Sequence, residues 1–169
     1  LVIDEITVDD GQGLPQPFSL SQTSGQLEIK IGDPNRLITG SHVYRLHYRV
    51  QNALGSFSDH DELYRDVTGN EWHVPIQQAS AHISLPSDQP SDSLSVYCYA
   101  GPSGSKTQCQ QARIDTDPQG YAYSSSFTQS QLASGEGLTV AFGWPKGLVT
   151  ITAASHHLFL DYPYLVVPL

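Results

Sequence analysis

Alternation of apolar and polar residues is the clearest pattern along this chain, and it predicts β-strands. Successive side chains of a strand point to opposite faces, so a period of two residues marks a strand with one buried face. This period recurs in four segments, which are residues 27–31, 42–50, 79–85 and 138–142. Each segment therefore predicts a half-buried strand.

Turn-forming residues separate these segments at short intervals. The chain contains 14 glycines and 11 prolines, and no stretch shows the longer period of an amphipathic helix. Counted this way, about nine or ten short strands are predicted, including one that carries Trp72 and Ile76 and a last one over residues 148–151. The pattern predicts an all-β fold, an antiparallel β-sandwich that is Ig-like in broad architecture. We expect one domain over residues 1–157, with a weak internal boundary near residues 54–69.

The charge balance argues against one class of function. Lys and Arg number 8 against 17 Asp and Glu, which gives a net charge of −9. Because phosphate backbones are bound by clustered Lys and Arg, we expect no nucleic-acid partner. The sequence also lacks a P-loop, a GxGxxG turn and a GxSxG elbow. We therefore predict no cofactor and no catalytic residue.

Cys98 and Cys109 are the two cysteines of the chain, and the loop between them is rich in Gly, Pro and Ser. This loop predicts a hairpin with a return strand over residues 107–114, which places both thiols on paired strands at a distance suited to a disulfide. Two free buried thiols and a metal site are the alternatives. A metal site is disfavoured because zinc ligands normally come as a nearby CxxC or histidine pair.

Residues 54–76 form the densest run of charged and aromatic side chains. The candidate binding residues at its centre are Asp59, His60, Asp61, Glu62 and Tyr64. Carboxylates at alternate positions of a loop can bind calcium, and converging carboxylates can act as general acid and base. A solvated, turn-forming loop is the simpler interpretation. We predict an exposed acidic loop over residues 56–62 with no resident metal.

Tyr64, Trp72 and Trp144 could together form a stacking surface for a glycan. Large aromatic side chains in a sandwich more often pack in the core. Trp72 is in phase with Val74 and Ile76, so we expect it to be buried. A surface that binds glycan or cell wall is therefore the second hypothesis for these residues.

The last twelve residues, 158–169, differ from the rest of the chain because LFLDYPYLVVPL is nearly uncharged. As a helix they would span about 18 Å, which is less than the roughly 30 Å of a membrane core. The tail is either a final buried strand or the start of a membrane segment. Tyr162 and Tyr164 would suit a membrane interface.

Several stretches, taken in order, resemble one protein family. They are IKIGD at 29–33, residues 40–50, DELY at 61–64, VTGNEW at 67–72, VPI at 74–76 and WPKG at 144–147. In these stretches the chain is similar to the predicted bacterial membrane proteins grouped as domain of unknown function family 2207. It departs from the family at Arg65-Asp66, where Trp-Asn is common.

The resemblance implies a β-rich domain on the extracytoplasmic face of a bacterial cell membrane, anchored by transmembrane helices that follow it. The family has no established activity. We therefore predict a non-catalytic ectodomain that binds an unknown protein partner or supports assembly at the cell envelope. Binding of a cell-wall glycan is the alternative, and a metal-dependent hydrolase is the third hypothesis.

Overall fold

The structure is a computed structural model that describes residues 2–23 and 26–151. These residues form eleven strands and one short 3₁₀ helix, Ser91–Ser93, and none of them lies in an α-helix. The strands are β1 (Val2–Asp9), β2 (Phe18–Thr23), β3 (Gln26–Ile31), β4 (Arg45–Gln51), β5 (Leu54–Ser56), β6 (His60–Asp66), β7 (Ile76–Pro90), β8 (Ser95–Gly101), β9 (Gln111–Thr116), β10 (Tyr121–Leu132) and β11 (Gly137–Pro145). Their pairings are antiparallel, and the predicted all-β fold is confirmed.

The chain divides into two compact units at the boundary between Asn52 and Ala53. In the first unit β1 pairs with β4, and β2 pairs with β3. Its buried apolar side chains, among the described residues, are Val8 and Ile29. Ion pairs between β1 and β4, such as Arg49 with Glu5 at 2.8 Å, lie in solvent and contribute little to stability.

The second unit is a β-sandwich of two sheets. The four-stranded sheet has the order β5-β6-β11-β8, and the three-stranded sheet has the order β7-β10-β9. The inner faces of both sheets share one core, whose largest fully buried members are Phe127, Leu132, Leu138, Val140 and Phe142. Burial of each such side chain stabilises the fold by roughly 1.5–3 kcal/mol relative to exposure. This core is therefore the main source of stability in the unit.

The last strand, β11, lies in the middle of the four-stranded sheet, between β6 and β8. The division into four and three strands is that of an Ig constant-type sandwich, but the order of the strands differs from the Ig order. Strand β9 pairs with β10 in the other sheet, so the chain crosses from one sheet to the other between β8 and β9. The Ig-like description holds for the architecture and not for the connectivity.

The crossing between β8 and β9 carries the disulfide. Cys98 and Cys109 are joined, with their Cα atoms 5.4 Å apart, so the predicted disulfide is confirmed. The Cys109 N–H donates to the Cys98 carbonyl at 3.2 Å, which is the hairpin-like pairing that the loop composition predicted. The predicted return strand over residues 107–114 is correct only in part. Gln108 bridges to Tyr99 of β8, but the strand β9 begins at Gln111 and belongs to the three-stranded sheet.

Two further strand predictions are wrong. Residues 72–75 form a loop, and β7 begins at Ile76. Residues 148–151 also contain no strand, although Leu148 and Val149 pack against the core. Both are irregular segments that carry apolar residues. In so short a run, a period of two residues does not distinguish an irregular segment from a strand.

The predicted tail over residues 158–169 lies outside the described residues, as does the predicted end of the domain at residue 157. In the described ranges 2–23 and 26–151, no helix is long and apolar enough to cross a membrane.

Candidate functional site

Residues 54–56 and 60–66 form the paired strands β5 and β6. Of the exposed acidic loop predicted over residues 56–62, only the turn at 57–59 is therefore a loop. Asp61 is 4% exposed, and Leu63 packs against the core. Because side chains alternate along β6, Glu62 and Tyr64 face the opposite, outer side of the sheet. The sheet therefore divides the predicted binding residues between two faces, and only Asp59 remains in a loop.

Asp61, which is buried, forms an ion pair with the partly exposed Lys146. The Lys146 Nζ lies 2.9 Å from Asp61 Oδ1, and the Ser56 hydroxyl donates to the same oxygen at 2.9 Å. Burial acts to raise the pKa of Asp61, but the donors from Lys146 and Ser56 outweigh it and hold the pKa below its ordinary value. Asp61 therefore stabilises the fold above its unfolded-state pKa, and this contribution is lost as the pH falls through the folded-state pKa.

Replacement of Lys146 is expected to lower the free energy of unfolding more than replacement of Asp61. Lys146→Met leaves a buried carboxylate with one remaining donor and should lower the free energy of unfolding by about 1–3 kcal/mol at neutral pH. Asp61→Asn should cost only about 1 kcal/mol, since the Lys146 side chain, 40% exposed, can turn to water. Urea unfolding of both variants measures the difference. The exposed Lys106, changed to methionine, is the control, and equal losses in all three variants would contradict the assignment.

Residues 67–72 join the ends of several strands. The Thr68 hydroxyl accepts from the Leu138 N–H at 3.0 Å, and the Asn70 amide donates to the Gly101 carbonyl at 3.0 Å. The Trp72 indole N–H donates to the Thr68 carbonyl at 2.7 Å. The segment thus connects the end of β6 to the end of β8 and the start of β11, which is a structural role.

The two tryptophans do not form a glycan-stacking surface. Trp144 is 3% exposed and packs edge-on against Phe142, with ring centroids 5.8 Å apart, so it lies in the core as predicted. Trp72 is half-buried in the 67–72 segment and is not among the residues that pack against the core. Its predicted burial in the core is therefore wrong.

A trough runs along the outer face of the four-stranded sheet. The central strand β11 presents the small residues Ala141 and Gly143 on this face, because Val140 and Phe142 point into the core. Ala141 lies opposite Tyr64 of β6 and Tyr97 of β8. Small side chains between larger ones leave a depression, and a strand glycine commonly marks close approach of another group.

One end of this trough is a cleft of about 420 Å³. The residues that line it are Asp59, His60, Glu62, Ser93, Ser95, Tyr97 and Pro145. They come from the loop before β6, from β6 itself, from the 3₁₀ helix, from β8 and from the end of β11. The volume lies within the usual range for small-molecule sites, about 300–1,000 Å³.

The wall on the β6 side is ordered by aromatic and ionic contacts. The His60 Nδ1 lies 2.8 Å from Asp59 Oδ1, and the His60 ring stacks on Phe57 with centroids 4.6 Å apart and planes within 8°. The hydrogen bond from His60 holds the pKa of Asp59 below its ordinary value. His60 is thereby placed at the entrance of the cleft with its carboxylate partner.

Burial shifts the pKa of two other ionisable groups on this face, Glu62 and Tyr64. It raises the pKa of Glu62, and the nearby His60 opposes the shift only in part. Burial also raises the pKa of Tyr64, with added effects from Asp66, Tyr99 and Glu62. Ionisation of Glu62 is therefore less favourable than in water, and a positive group in the cleft would lower its pKa again.

A second polar cluster lies on the outer face of the three-stranded sheet. The Ser84 hydroxyl lies 3.3 Å from His82 Nε2, which suggests the order of a Ser-His-Asp triad. The His82 Nδ1, however, lies 3.2 Å from the Ser126 hydroxyl and 3.6 Å from Asp115 Oδ2. Asp115 itself accepts from Ser126 at 2.7 Å and pairs with the Arg113 guanidinium at 3.0 Å. The cluster therefore ties β7, β9 and β10 together across the sheet.

Sequence reasoning placed Asp59, His60 and Glu62 in a candidate site, and these three line the cleft. It missed Tyr97, which is 54% exposed. The alternation around Cys98 shows that Tyr97 faces outward, but no local signal shows that β8 lies beside β11. Across the described part of the chain, no group of three or more His, Cys, Asp or Glu could hold a metal ion.

The fold and the cleft together define a class, a disulfide-linked β-sandwich domain with an open cleft on one sheet. The chain belongs to the family described as the N-terminal domain of a predicted membrane protein, DUF2207, whose sequence model matches residues 4–144. The resemblance inferred from the sequence is confirmed.

One curated relative is an uncharacterized protein, YciQ, of Escherichia coli (strain K12). It is 25% identical to the chain over 147 residues, which is 84% of this chain and 21% of that protein. The chain thus spans about a fifth of the length of this relative. No solved structure matches the chain.

Proposed function

We propose that the domain is a non-catalytic binding module on the extracytoplasmic side of a membrane protein, where the cleft receives a partner. The cleft is the observation that carries this proposal. It gathers two carboxylates, a histidine and an exposed tyrosine from β6, from the turn before β6 and from β8. Exposed aromatic and polar groups around a depression are typical of binding sites.

The proposed side of the membrane rests on the disulfide. Disulfides persist in oxidising compartments and are rare in the cytosol. The Cys98–Cys109 bond joins the chain where it passes from one sheet to the other. On the extracytoplasmic side this bond would form and remain oxidised.

A second candidate function is binding of a cell-wall glycan. The observation that favours it is Tyr97, which is 54% exposed and lines the same cleft as Glu62. A flat exposed ring beside a carboxylate can stack on a sugar and accept its hydroxyl hydrogens. This candidate uses Tyr97 in place of the two tryptophans.

Site-specific photo-crosslinking in the full-length membrane protein tests partner binding. A photoreactive amino acid is placed at Ser93 or Tyr97 in the cleft, and at Tyr121, which is 48% exposed on β10 and outside the cleft, as the control. We expect a discrete protein adduct from the two cleft positions and none from Tyr121. The same adducts from all three positions, or none from any, would contradict the proposal.

The side of the membrane is tested on intact spheroplasts. A membrane-impermeant reductant followed by an impermeant maleimide should label Cys109, which is partly exposed, whereas Cys98 is 5% exposed and should react little. Omission of the reductant should leave both cysteines unlabelled. Labelling that requires permeabilised cells would place the domain on the cytoplasmic side and refute this part of the proposal.

A further inference from the structure

The charge of the cleft points to the charge of its ligand. Among the described residues, the seven that line it include the carboxylates Asp59 and Glu62 and no lysine or arginine, and the lining histidine, His60, is paired with Asp59. Lys146 directly follows the lining residue Pro145, but its Nζ donates to Asp61 and Ser56 on the other side of the sheet. The cleft is therefore complementary to a positive group, in a chain whose net charge of −9 would also attract basic partners.

The Glu62 carboxylate is the group of the cleft that a positively charged ligand would stabilise most. Its side chain is half-buried, and burial raises its pKa. Within the described ranges no donor makes a hydrogen bond or ion pair with its carboxylate, in contrast to Asp59 and Asp61. A half-buried carboxylate without a donor carries a desolvation cost that a cationic ligand would remove.

Tyr97 supplies a flat surface across the trough from Glu62. Glu62 lies opposite Gly143 on one side of β11, and Tyr97 lies opposite Ala141 on the other side. Two strand spacings, about 10 Å, and an offset of two residues along β11, roughly 7 Å, separate the two positions. The residues of β11 between them are the small Ala141 and Gly143. A planar cation can lie over the Tyr97 ring and still reach the Glu62 carboxylate with two parallel N–H donors.

We infer that the cleft binds an arginine side chain of a protein partner, between the Glu62 carboxylate and the Tyr97 ring. This inference rests on the proposed function and names its ligand. A guanidinium is planar, stacks on aromatic rings and pairs with a carboxylate through two bonds, whereas an ammonium is a compact point charge.

A protein source is favoured over an amino sugar because the aromatic face continues beyond the cleft. Tyr64 and Tyr99 lie on the same outer face, beside Ala141 and Thr139 of β11. Tyrosine and arginine are both enriched in protein–protein interfaces. A partner that places arginine in the cleft would cover Tyr97 and Tyr99 with neighbouring residues.

NMR titration of the uniformly ¹⁵N-labelled 169-residue chain tests the inference. The probe is Nα-acetylarginine methylamide, and the matched control is the citrulline analogue, which has nearly the same shape and no charge. We expect saturable shifts confined to residues 59–62, 93–97 and 143–145 with arginine and no saturable shifts with citrulline. The lysine analogue should bind more weakly, and a glucosamine disaccharide represents the amino-sugar source.

Matched variants connect the shifts to the two named groups. Glu62→Gln should weaken arginine binding at least about 10-fold, since a charge-assisted pair is lost. Tyr97→Ala should weaken it about 3-fold. Glu71→Gln and Tyr121→Ala change exposed residues outside the cleft and should leave binding unchanged.

Four results would overturn the inference. They are equal binding of arginine and citrulline, stronger binding of lysine or the glucosamine disaccharide, shifts outside the cleft, and an unchanged affinity in Glu62→Gln. If crosslinking at Tyr97 still captures a protein in any of these cases, the proposed function stands and only the arginine assignment fails. If crosslinking fails while arginine still binds as described, the cleft chemistry stands and the partner proposal fails.

Discussion

Replacement of Gly137 by alanine is expected to lower the free energy of unfolding by roughly 2–4 kcal/mol. The added Cβ would lie 2.5 Å from the Gly69 carbonyl oxygen and 3.0 Å from the Asn70 amide nitrogen. Real Cβ atoms do not approach backbone so closely, so the 67–72 segment would have to move.

The neighbours of Gly137 cannot move without loss of hydrogen bonds. Val67 N–H donates to the Leu138 carbonyl at 2.8 Å, and Leu138 N–H donates to the Thr68 hydroxyl at 3.0 Å. The Asn70 side chain bonds the Gly101 carbonyl at 3.0 Å. Displacement of this segment would strain bonds that connect β6, β8 and β11.

Gly143→Ala is the matched control for this prediction, because it makes the same change on the same strand. Its Cβ would meet the Ser95 hydroxyl at 2.5 Å, and this hydroxyl can rotate away. We therefore expect a change of less than about 1 kcal/mol. Urea unfolding followed by tryptophan fluorescence measures both variants. Equal losses at the two glycines would show that the 67–72 segment is not the rigid joint described above.

Loss of the disulfide is expected to lower the free energy of unfolding by about 2–3 kcal/mol. The bond closes a short loop, with a sequence separation of 11, so its removal adds conformational freedom mainly to the unfolded chain. It also leaves the crossing between the two sheets of the sandwich held by fewer contacts. The comparison is between the oxidised chain and the Cys98→Ala/Cys109→Ala double variant.

Two controls distinguish the contribution of the disulfide bond to stability from the loss of packing caused by the two substitutions. Reduction of the unmodified chain should lower its stability by nearly the same amount as the double substitution. The same reductant should leave the double variant unchanged. A loss below about 0.5 kcal/mol on reduction would contradict the predicted contribution of the bond.

The local alternation of apolar and polar residues was sufficient to predict a strand where that strand has one apolar and one polar face. Leu27, Ile29 and Ile31 predicted β3 correctly, and Leu138, Val140 and Phe142 predicted β11. Pattern failed at Trp72, where apolar residues belong to a loop whose conformation depends on bonds to Thr68 and to the turn before β11. Those partners are supplied by the fold and are not visible in the local sequence.

The same limit applies to β10. β10 contains Tyr121, Tyr123 and Phe127, which a period of two residues would place on one face. Phe127 is fully buried, whereas Tyr121 and Tyr123 are about half exposed. A register shift between Ala122 and Ser124 lies between them, and such an irregularity changes which side chains face the core.

The chemistry of Asp61 also depended on distant residues. From sequence, Asp61 was one member of an acidic group. In the fold it is buried against Lys146, which is 85 positions away. A buried carboxylate requires a donor, and only the pairing of β6 with β11 shows which donor is available.

The sequence by itself determined the all-β class, the disulfide and the family, because alternation, cysteine spacing and short motifs are local properties. The tertiary structure decided the role of the segment 54–76. Asp61 pairs with Lys146 and stabilises the fold. Residues 67–72 connect the ends of β6, β8 and β11. Glu62 and Tyr97 lie on the two strands that flank β11. The physical reason is that a binding site on a sheet is made by neighbouring strands, and strand order is a long-range property that local patterns do not encode.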